Sequence, residues 1–599
     1  MIVPMNKYLF VLHHDSSGHF LTKIQELGLV DIVRSQKAVD ERSKEMHDLW
    51  LRYKSAVKFL SALSPDAKSK NIEAAPSQTD CPSLLVQIEE TIARREQIEN
   101  RRTALRKEMD AAAAWGAFSP IDKERITQLG YVIHAYTISE KRFNPEWAEQ
   151  FPLFEINRLK GMVYFVVLQE QGTSFDFGLT EVKFPDIDIS RLGSEMDQLD
   201  RETEQIGQQF LSLRGYMQLL EKQIELLHSE LDLYLAGKSV QKEADDHIDV
   251  LTGFAPKTDS AKICAFLEEA SILYIEEEAV PEDTPPIKLK NNWFARLYEP
   301  IGELYMLPKY GELDLTPFFA PFYMLFFGLC LGDMGYGLVL LIAGFAAKKF
   351  IPAMRGYASL VQLLGIGAII MAALSGGVFG MSLSNASFLP DSVKSLFLSN
   401  IKMFWFAILF GVFQILFARL LSAIYTMIHQ GWKYGMCNIG WTLLISWLAY
   451  AYASTQVAGL SIPKHFSWGW SGLALVLILF FTKTEGNIFK RFTSGIFSLY
   501  DVTGVFGDVL SYIRLFGLGT AGAILGLVVN SIAMNMAGSA IGWFFAVVML
   551  LVGHTLVLLL SCLGAFVHPM RLTFVEFYKN VGFSGGGNAF RPLIKKIDN

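Results

Sequence analysis

The residue whose chemistry is hardest to place is an arginine in a long apolar stretch. Arg514 stands at the centre of GDVLSYIRLFGLG, residues 507–519, and mostly apolar residues follow it as far as Asn530. An arginine side chain keeps its proton in proteins. At membrane depth its charge costs from about 2.5 to more than 10 kcal/mol. An arginine at such a position indicates a functional charge.

The depth of Arg514 follows from the apolar window around it. That window begins at residue 503, so Arg514 is eleven residues inside it and about 16 Å deep at 1.5 Å per residue. At that depth the side chain does not easily reach water. Arg419, in contrast, lies near the end of its own window, and snorkelling of its head group into the interface explains it.

Further ionisable residues lie in the last apolar window, in FVHPMRLTFVEFYKN, residues 566–580. His568 and Arg571 are three residues apart, and this spacing places them on one helix face. A strongly tilted helix would bring both next to Arg514. The alternative is that Arg571 and Glu576 form a polar belt at the membrane surface.

No carboxylate stands at a depth where it would obviously neutralise Arg514. Asp333 is predicted near the far side of the membrane, and Asp508 and Glu485 near the side from which the arginine helix starts. An uncompensated buried guanidinium is costly. We therefore predict that the counter-charge comes from another polypeptide.

The chain of 599 residues divides by composition into two halves. Residues 1–300 are rich in Glu, Lys, Arg, Asp and Gln, whereas residues 318–580 are dominated by apolar residues and glycine. The second half contains seven apolar windows, at 318–347, 357–382, 401–428, 436–457, 467–482, 503–535 and 541–580. Lys and Arg concentrate after the first and fifth windows and in the tail, which the positive-inside rule places in the cytoplasm.

The first of these windows is predicted to cross the membrane twice. The soluble half should also be cytoplasmic, because the N-terminus has no signal-peptide pattern. LGDMGYG, residues 331–337, supplies glycines around an aspartate that can break a helix. We predict a tight hairpin of helices 318–332 and 336–347 turning at Asp333, hence eight membrane helices with both termini cytoplasmic.

The soluble half predicts long helices that return on themselves. Over residues 189–236 apolar residues alternate at steps of three and four, apart from Thr203, as in a coiled coil about 70 Å long. Two earlier stripes are predicted to be antiparallel partners: Met46, Leu49, Tyr53, Val57, Leu60 and Leu63, then Ile88, Ile92, Ile98, Leu105 and Met109. A dimerisation coiled coil is the alternative.

Short α/β patterns flank these helices, at residues 8–33, 131–170 and 248–279. The predicted fold class is multidomain: N-terminal α/β lobes joined by a long antiparallel helical coiled-coil rod, then a C-terminal all-α polytopic membrane domain of about eight helices. The predicted domains are a cytoplasmic dumbbell 1–300 (proximal lobe 1–36 and 237–290, rod 37–115 and 188–236, distal lobe 116–187), a linker 301–317, a transmembrane domain 318–582 and a cytoplasmic tail 583–599.

Several function classes are disfavoured by the sequence. The soluble half has no GxxxxGK[ST] phosphate loop and nothing else that looks catalytic. The five cysteines are scattered and lack metal-ligand spacing, so we predict no disulfide framework. His13, His14 and His19 could bind a metal, but they run from a strand into a loop, and we interpret them as ordinary histidines of the lobe. We predict no metal and no cofactor. The net charge of −6 argues against nucleic acid as a partner.

Three motifs, in order along the chain, carry a family resemblance. They are LGDMGYG (331–337), LSYIRL (510–515), and MRLTFVEFYKN with GFSGGGNAFRPL (570–593). Through them the chain resembles the membrane subunit of vacuolar and archaeal-type rotary ATPases, called subunit a or subunit I. Its length resembles that of the prokaryotic form.

The resemblance implies a non-catalytic stator subunit in a prokaryotic cell membrane. In that family the subunit flanks a rotating ring of small proteolipid subunits, and H⁺ or Na⁺ passes through two offset half-channels. Peripheral stalk subunits and the central-stalk cap subunit of the rotor are further implied partners, beside the lipid bilayer. The transmembrane domain would then be an ion channel formed against the ring.

The resemblance also implies roles for particular residues. Arg514 matches the family's arginine, Arg571 its second basic position, His568 its histidine and Asp333 the channel acid of its first hairpin. Polar or acidic positions of some members are Tyr500, Gly504 and Ser561 in this sequence. Asp508, Glu485 and Glu576 are therefore additional candidates for the polar path.

Two other functions fit parts of the sequence. A self-contained secondary transporter would use Arg514 to bind an anionic substrate, and it predicts inverted repeats with broken helices. The sequence has no paired interruptions beyond 331–337. A purely structural membrane anchor is the third possibility, and it leaves Arg514 unexplained.

Overall fold

The computed structural model of the protein forms two compact units. It describes residues 1–35, 37–62, 80–113, 115, 120–159, 161–171, 179–182, 189–243, 247–351, 354–385, 390–395, 397–456, 463–484 and 487–595. One unit contains residues 1–13, 29–33 and 242–592, and the other contains residues 14–28, 34–241 and 593–599. Each unit is described separately below.

The first half of the chain alternates strands with helices. Its opening elements are β1 (Met5–His13), α1 (Ser17–Leu27), β2 (Asp31–Ile32), α2 (Glu41–Ala62), α3 (Cys81–Ala113) and α4 (Pro120–Gln128). They are followed by β3 (Tyr131–Ser139), α5 (Trp147–Gln150), β4 (Leu153–Leu159), β5 (Met162–Glu170), α6 (Ile189–Arg214) and α7 (Met217–Lys238). The half closes with β6 (Gln241–Glu243), β7 (Ile248–Pro256), α8 (Ser260–Glu269) and β8 (Leu273–Glu278).

The first unit contains a sheet built from both ends of this half. Its strand order is β2-β7-β1-β8, and all neighbouring pairs are antiparallel. Tyr8, Phe10 and Leu12 of β1 are buried, as the two-residue period of a half-buried strand predicts. The two β-α-β patterns predicted at 8–33 and 248–279 therefore exist and share one sheet.

The second unit contains a separate three-stranded antiparallel sheet with the order β3-β5-β4. The sequence predicted β3 and β5 but not β4. Strand β4 lies at the edge of the sheet, and Glu155 and Arg158 on it are exposed and hydrogen-bonded to each other. An edge strand with charged side chains shows little of the apolar alternation by which strands are recognised.

Four long helices of the second unit share an apolar core. Ion pairs Arg94–Glu202 and Arg101–Glu195 show that α3 and α6 run antiparallel. Tyr234, near the end of α7, donates to Asp40, just before α2. Most residues of the two predicted stripes lie in this core or against it, while Leu63 lies outside the described residues.

One feature of these helices corrects the sequence prediction. The helix predicted over 189–236 is interrupted at Gly215 and Tyr216, between α6 and α7. A glycine removes the conformational restraint that favours helix continuation. The antiparallel contacts are observed, whereas a continuous coiled-coil rod stays a prediction.

The second half of the chain is almost entirely helical. Its first elements are α9 (Trp293–Arg296), α10 (Glu299–Glu303), α11 (Thr316–Leu331), α12 (Met334–Phe350), α13 (Arg355–Ser375), β9 (Gly377–Val378), β10 (Met381–Ser382) and α14 (Asp391–Lys394). Then come α15 (Asn400–His429), α16 (Trp432–Gln456), α17 (Lys464–Phe481), α18 (Ile488–Leu499), α19 (Asp501–Ser511), α20 (Ile513–Met536) and α21 (Ala540–Arg571). A π-helical segment (Leu572–Phe577) and α22 (Tyr578–Val581) complete them.

Four segments in the described part of the chain are long and apolar enough to cross a membrane. They are Arg355–Ser375, Asn400–His429, Ile488–Met536 and Ile541–Val581. Thr316–Leu331 and His465–Phe481 are apolar but shorter. The predicted total of eight crossings therefore stays a prediction.

The predicted turn at Asp333 is present, although its two helices do not form a tight pair. Gly332 has φ +60°, a conformation that favours glycine and ends α11. Helix α11 lies along α13, with Gly328 against Gly367, and α12 lies along the same helix, with Gly344 against Gln362. Helix α13 therefore packs against both limbs of the turn.

The segment after α22 returns to the sheet of the same unit. Ile287 pairs with this segment, since its N–H donates to Asn588 O and its carbonyl accepts from Phe590 N. Phe590 packs against the buried Met5 and Phe254 of the sheet. Part of the predicted tail, residues 583–592, is therefore ordered against the sheet.

We predict that Gly328→Val destabilises the protein by about 3 kcal/mol, at the upper end of usual overpacking costs. A Cβ at this position would lie 2.2 Å from the Gly367 carbonyl oxygen, a backbone atom that does not move aside easily. The test is the thermal unfolding midpoint of the purified protein in detergent. Gly472→Val is the matched control, because a Cβ at Gly472 in α17 meets nothing within 4 Å. Equal midpoints for the two variants would contradict the prediction.

Candidate functional site

Arg514 is the second residue of α20 and is half-buried. Among the described residues its buried Nη1 has no hydrogen-bond partner, and no carboxylate forms an ion pair with it. Buried polar groups almost always have a partner. The guanidinium is therefore a charge that the described part of the chain does not compensate.

Tyr512 anchors the backbone directly before Arg514. Helix α19 ends at Ser511 and α20 begins at Ile513, so that Tyr512 lies at the junction. Its side chain is fully buried, and its hydroxyl donates to Gln414 Oε1 on α15 at 2.7 Å. The ring lies directly over Gly411, where a Cβ would be only 2.2 Å from it. The predicted single helix over 503–535 therefore has a break that a buried tyrosine fixes in place.

A close helix contact holds the turn that follows Arg514. A Cβ at Gly519 would lie 2.6 Å from Leu329 O, and one at Gly526 would lie 2.9 Å from Gly380 Cα. These glycines let α20 approach the end of α11 and the loop after α13. Backbone-to-backbone packing therefore fixes the part of α20 that follows Arg514.

His568 and Arg571 lie at the end of α21, on the helix that packs along α20. His568 is half-buried and interacts electrostatically with both Arg514 and Arg571. Arg571 is exposed. The structure therefore brings Arg514, His568 and Arg571 into one basic group, and no carboxylate of the described residues forms an ion pair with any of them.

A π-helical segment follows this basic group. Pro569 lacks the N–H that would continue the hydrogen-bond ladder of α21, and the wide helical turns begin at Leu572. Thr573 and Glu576 of this segment point inward and are buried. Short π segments often occur at functional sites. Pro569 was a sequence signal for an irregularity here, but not for the burial of Glu576.

Asp508 is buried on α19 and has two partners from α22. Lys579 Nζ lies 3.1 Å from its Oδ1 and 3.3 Å from its Oδ2, and Asn580 Nδ2 donates to Oδ2 at 3.0 Å. The sequence prediction included Asp508 but missed Lys579 and Asn580. Glu576 lies close by, and its Oε2 has no hydrogen-bond partner among the described residues.

Asp333 lies in a different part of the same unit, and backbone N–H groups bind its carboxylate. Its carboxylate accepts from the N–H groups of Tyr336 at 3.1 Å, Phe379 at 2.8 Å and Gly380 at 2.8 Å. These bonds cap α12 and tie it to the loop after α13. Asp333 is 1% exposed, and the structure does not bring it together with Arg514 through any of its hydrogen bonds.

A hydrogen-bonded chain that the sequence did not predict joins the same loop to α20 and α21. Tyr336 Oη lies 2.8 Å from His554 Nδ1, and His554 Nε2 lies 3.0 Å from Asn530 Oδ1. Asn530 Nδ2 then donates to the carbonyl of Phe379 at 2.7 Å. The chain holds the far ends of α20 and α21 in register with the loop.

A cavity of about 130 Å³ lies between this loop and α20. Its lining includes Ser375, Ser382, Asn400, Phe516, Gly519 and Thr520. Met381 also lines it and is 57% exposed, so one end of the cavity reaches the surface. Phe516, Gly519 and Thr520 place α20 along one wall of the cavity.

Two further sequence candidates have simpler outcomes. Glu485 lies outside the described residues. Arg419 is half-buried, and its guanidinium stacks over the Trp441 ring at 5.7 Å. A cation over an indole is stabilised electrostatically. Arg419 Nε, like Arg514 Nη1, is buried without a hydrogen-bond partner among the described residues, but the ring contact stabilises the charge of Arg419.

Comparison with known proteins finds relatives whose similarity extends over most of the chain. V-type ATP synthase subunit I of Borreliella burgdorferi is 24% identical over 619 residues, covering 99% of this chain and 100% of that protein. A-type ATP synthase subunit I of Methanocaldococcus jannaschii is 28% identical over 538 residues, covering 82% and 73%. Over most of its length the chain is therefore similar to subunit I of V-type and A-type ATP synthases.

Two other comparisons do not extend this similarity. No protein-family model matches the chain. A solved structure of the cytoplasmic N-terminal domain of subunit I, homolog of subunit a, of V-ATPase covers 45% of this chain and 100% of that domain. It is 16% identical with a TM-score of 0.21, which is too low to support an argument about the fold.

We predict that Tyr512→Phe destabilises the protein by about 1–3 kcal/mol, because the buried Gln414 amide loses its donor. Replacing both partners, as in Tyr512→Phe/Gln414→Leu, should recover most of that loss. The measurement is thermal unfolding in detergent. Tyr500→Phe is the control, since Tyr500 is 77% exposed. A double variant less stable than the single one would show that the hydrogen bond is not what holds the junction.

Proposed function

We propose that the chain is the membrane stator subunit of a prokaryotic V-type or A-type rotary ATPase. In this proposal it forms ion half-channels against a rotating ring of small proteolipid subunits and couples H⁺ or Na⁺ movement to rotation. The observation that carries the proposal is that Arg514 forms no ion pair with a described residue and that its buried Nη1 has no hydrogen-bond partner among them. The relatives of the chain are named as subunits of ATP synthases, so we expect partners within such a complex.

The charge of Arg514 suits this task for two reasons. A fixed positive charge lowers the pKa of an approaching carboxylate and so favours its ionised form. A carboxylate carried past by the ring would therefore release its ion beside Arg514. Because arginine keeps its proton, it does not relay protons directly between the two half-channels.

Polar groups on either side of Arg514 supply candidate half-channels. On one side the cavity lined by Ser375, Asn400 and Thr520 extends along α20. On the other side Asp508 and Glu576 lie among buried polar atoms. His568 and Arg571 add positive charge next to Arg514, and Asp333 holds the loop beside the cavity.

The remainder of the chain supports the proposed stator. The antiparallel helices of the second unit suit a strut that binds peripheral stalks and resists torque. In this proposal residues 1–300 are the cytoplasmic dumbbell and residues 318–582 the ion-channel domain, with eight crossings and both termini cytoplasmic. The central-stalk cap subunit of the rotor is a further proposed partner. The chain itself is proposed to be non-catalytic.

A second candidate function rests on the basic group itself. Arg514, His568 and Arg571 together would also attract an anion, as in a secondary transporter. Such a transporter works alone, so the purified chain in vesicles would carry an anionic solute without other subunits. A rotary stator would move ions only within the assembled complex.

We predict that Arg514→Ala abolishes ATP-driven ion transport while the complex still assembles. The reason is that the ring carboxylate loses the charge that favours release of its ion. The measurement uses the purified complex in proteoliposomes, with a ΔpH-sensitive dye for H⁺ and ²²Na⁺ uptake for Na⁺. Arg355→Ala is the matched control, because Arg355 is an exposed arginine at the start of α13. Full pumping by Arg514→Ala would refute the proposal.

A further inference from the structure

The loop after α13 contains a short hairpin whose turn is strained. Strands β9 and β10 are antiparallel, and only Phe379 and Gly380 connect them. These two residues have φ +48° and +72°. Positive φ at both central residues is typical of a type I′ turn, for which Asn-Gly is a preferred pair. A bulky side chain with positive φ is a conformational outlier. The hairpin therefore needs support that its own turn sequence does not provide.

The Asp333 carboxylate binds this turn at both of its central residues. Oδ1 accepts from Phe379 N and Oδ2 accepts from Gly380 N, each at 2.8 Å. Oδ1 also accepts from Tyr336 N at 3.1 Å, the bond that caps α12. Hydrogen bonds to a charged acceptor are stronger than neutral ones. Both carboxylate oxygens are therefore engaged by the backbone of the chain.

Phe379 has further contacts that keep it in the strained conformation. Its ring meets the rings of Tyr336 and His554 edge-on, with centroids 5.6 and 5.8 Å apart. Its carbonyl accepts from Asn530 Nδ2 at 2.7 Å. A strained residue persists only where the surrounding structure determines its conformation several times over. The position of the hairpin is therefore fixed by contacts with α12, α20 and α21.

The same hairpin forms part of the wall of the 130 Å³ cavity. Gly377, Gly380 and Met381 line the cavity from the hairpin, and Phe516 and Thr520 line it from α20. A Cβ at Gly380 would lie 2.4 Å from the carbonyl carbon of Gly526 in α20, so the two backbones are in contact. A displacement of the hairpin would therefore change the width of the cavity.

We propose that Asp333 is a positioning residue that clamps this hairpin as a wall of the ion path, and that it does not itself carry the ion. The family resemblance implies the opposite role, that of a channel acid. A group that passes an ion exchanges its partners, and at Asp333 each exchange would leave buried N–H groups without an acceptor, which is costly. The assignment rests on the proposed stator function, in which this cavity is one half-channel.

Two variants separate a clamp from an ion carrier. Asp333→Glu keeps a carboxylate, but the longer side chain does not fit three short bonds at a site that is 1% exposed. Asp333→Asn/Phe379→Asn removes the carboxylate and gives the turn the Asn-Gly pair that favours its conformation. Asparagine also caps helices about as well as aspartate, so the start of α12 is retained. Asp333→Asn alone opposes an amide donor to Gly380 N and leaves the turn strained.

The measurement is the number of ions transported per ATP hydrolysed by the assembled complex in proteoliposomes, over a series of pH values. The ΔpH dye and ²²Na⁺ are both used, so the result does not depend on which cation is carried. Asp333→Asn/Ser271→Asn is the matched control. Ser271 is an exposed residue with φ +53°, and its replacement gives asparagine a positive φ away from the hairpin.

We expect Asp333→Glu and Asp333→Asn to lower the ratio of ions to ATP by about tenfold or more, because buried N–H groups lose their acceptor. Asp333→Asn/Phe379→Asn should recover to within about threefold of wild type, because the turn no longer needs the clamp. Its pH profile should keep the wild-type shape, since no group that titrates during transport has been removed. Phe379→Asn alone should retain transport, and the Ser271 control should not recover.

Four results would each overturn the assignment. Transport by Asp333→Glu close to wild type would show that the carboxylate matters and its exact position does not. Failure of Asp333→Asn/Phe379→Asn to recover would show that the carboxylate does more than hold the turn. A recovered ratio with an altered pH profile would show that Asp333 titrates during transport. A normal ratio in Asp333→Asn, with less complex assembled, would reduce the clamp to a purely structural role.

Failure of the stator proposal is distinguishable from failure of this inference. If the stator proposal is wrong, Arg514→Ala pumps as well as wild type. If only the present inference is wrong, Arg514→Ala still abolishes transport while the Asp333 variants depart from the expected order. Arg514→Ala and its control Arg355→Ala therefore belong in the same set of proteoliposomes.

Discussion

Arg514 lies on a helix that packs against apolar neighbours, and no described carboxylate forms an ion pair with it. The guanidinium of Arg514 has a buried nitrogen that no described residue satisfies. Such a group is tolerated where the surrounding structure fixes it and where a partner supplies the missing charge. The helices around Arg514 are consistent with this constraint, since they are tied to each other immediately before and after the arginine.

The ties are of two kinds. Tyr512 is bound to Gln414 and lies over Gly411, so the backbone before Arg514 is fixed to α15. After the arginine, Gly519 lets α20 touch the backbone at the end of α11. At the far end of α20, hydrogen bonds to Phe379 and His554 hold Asn530 in the same way. Two kinds of contact therefore fix the position of Arg514. One is backbone packing that is too close for any larger side chain, and the other is buried hydrogen bonds.

The sequence predicted the positions of most helices and strands better than the irregularities within them. Apolar windows and heptad steps located the long helices, and β-strand patterns located β1, β3, β5, β7 and β8. The breaks at Gly215 and Tyr512, the edge strand β4 and the π segment were missed. Each of these depends on tertiary neighbours or on an edge position, which a periodicity does not record. Lys579 was missed for the same reason, because its partner Asp508 is 71 residues away.

The buried carboxylates of the apolar half explain why Arg514 remains uncompensated. Among the described residues from 316 onwards, the buried ones are Asp333, Asp508 and Glu576. Asp333 is occupied by three backbone amides, and Asp508 by Lys579 and Asn580. Glu576 has an unoccupied oxygen but forms no ion pair with Arg514. Two of these carboxylates are therefore bound within the chain and the third is not paired with Arg514, and for this reason the proposed function takes the counter-charge of Arg514 from another chain.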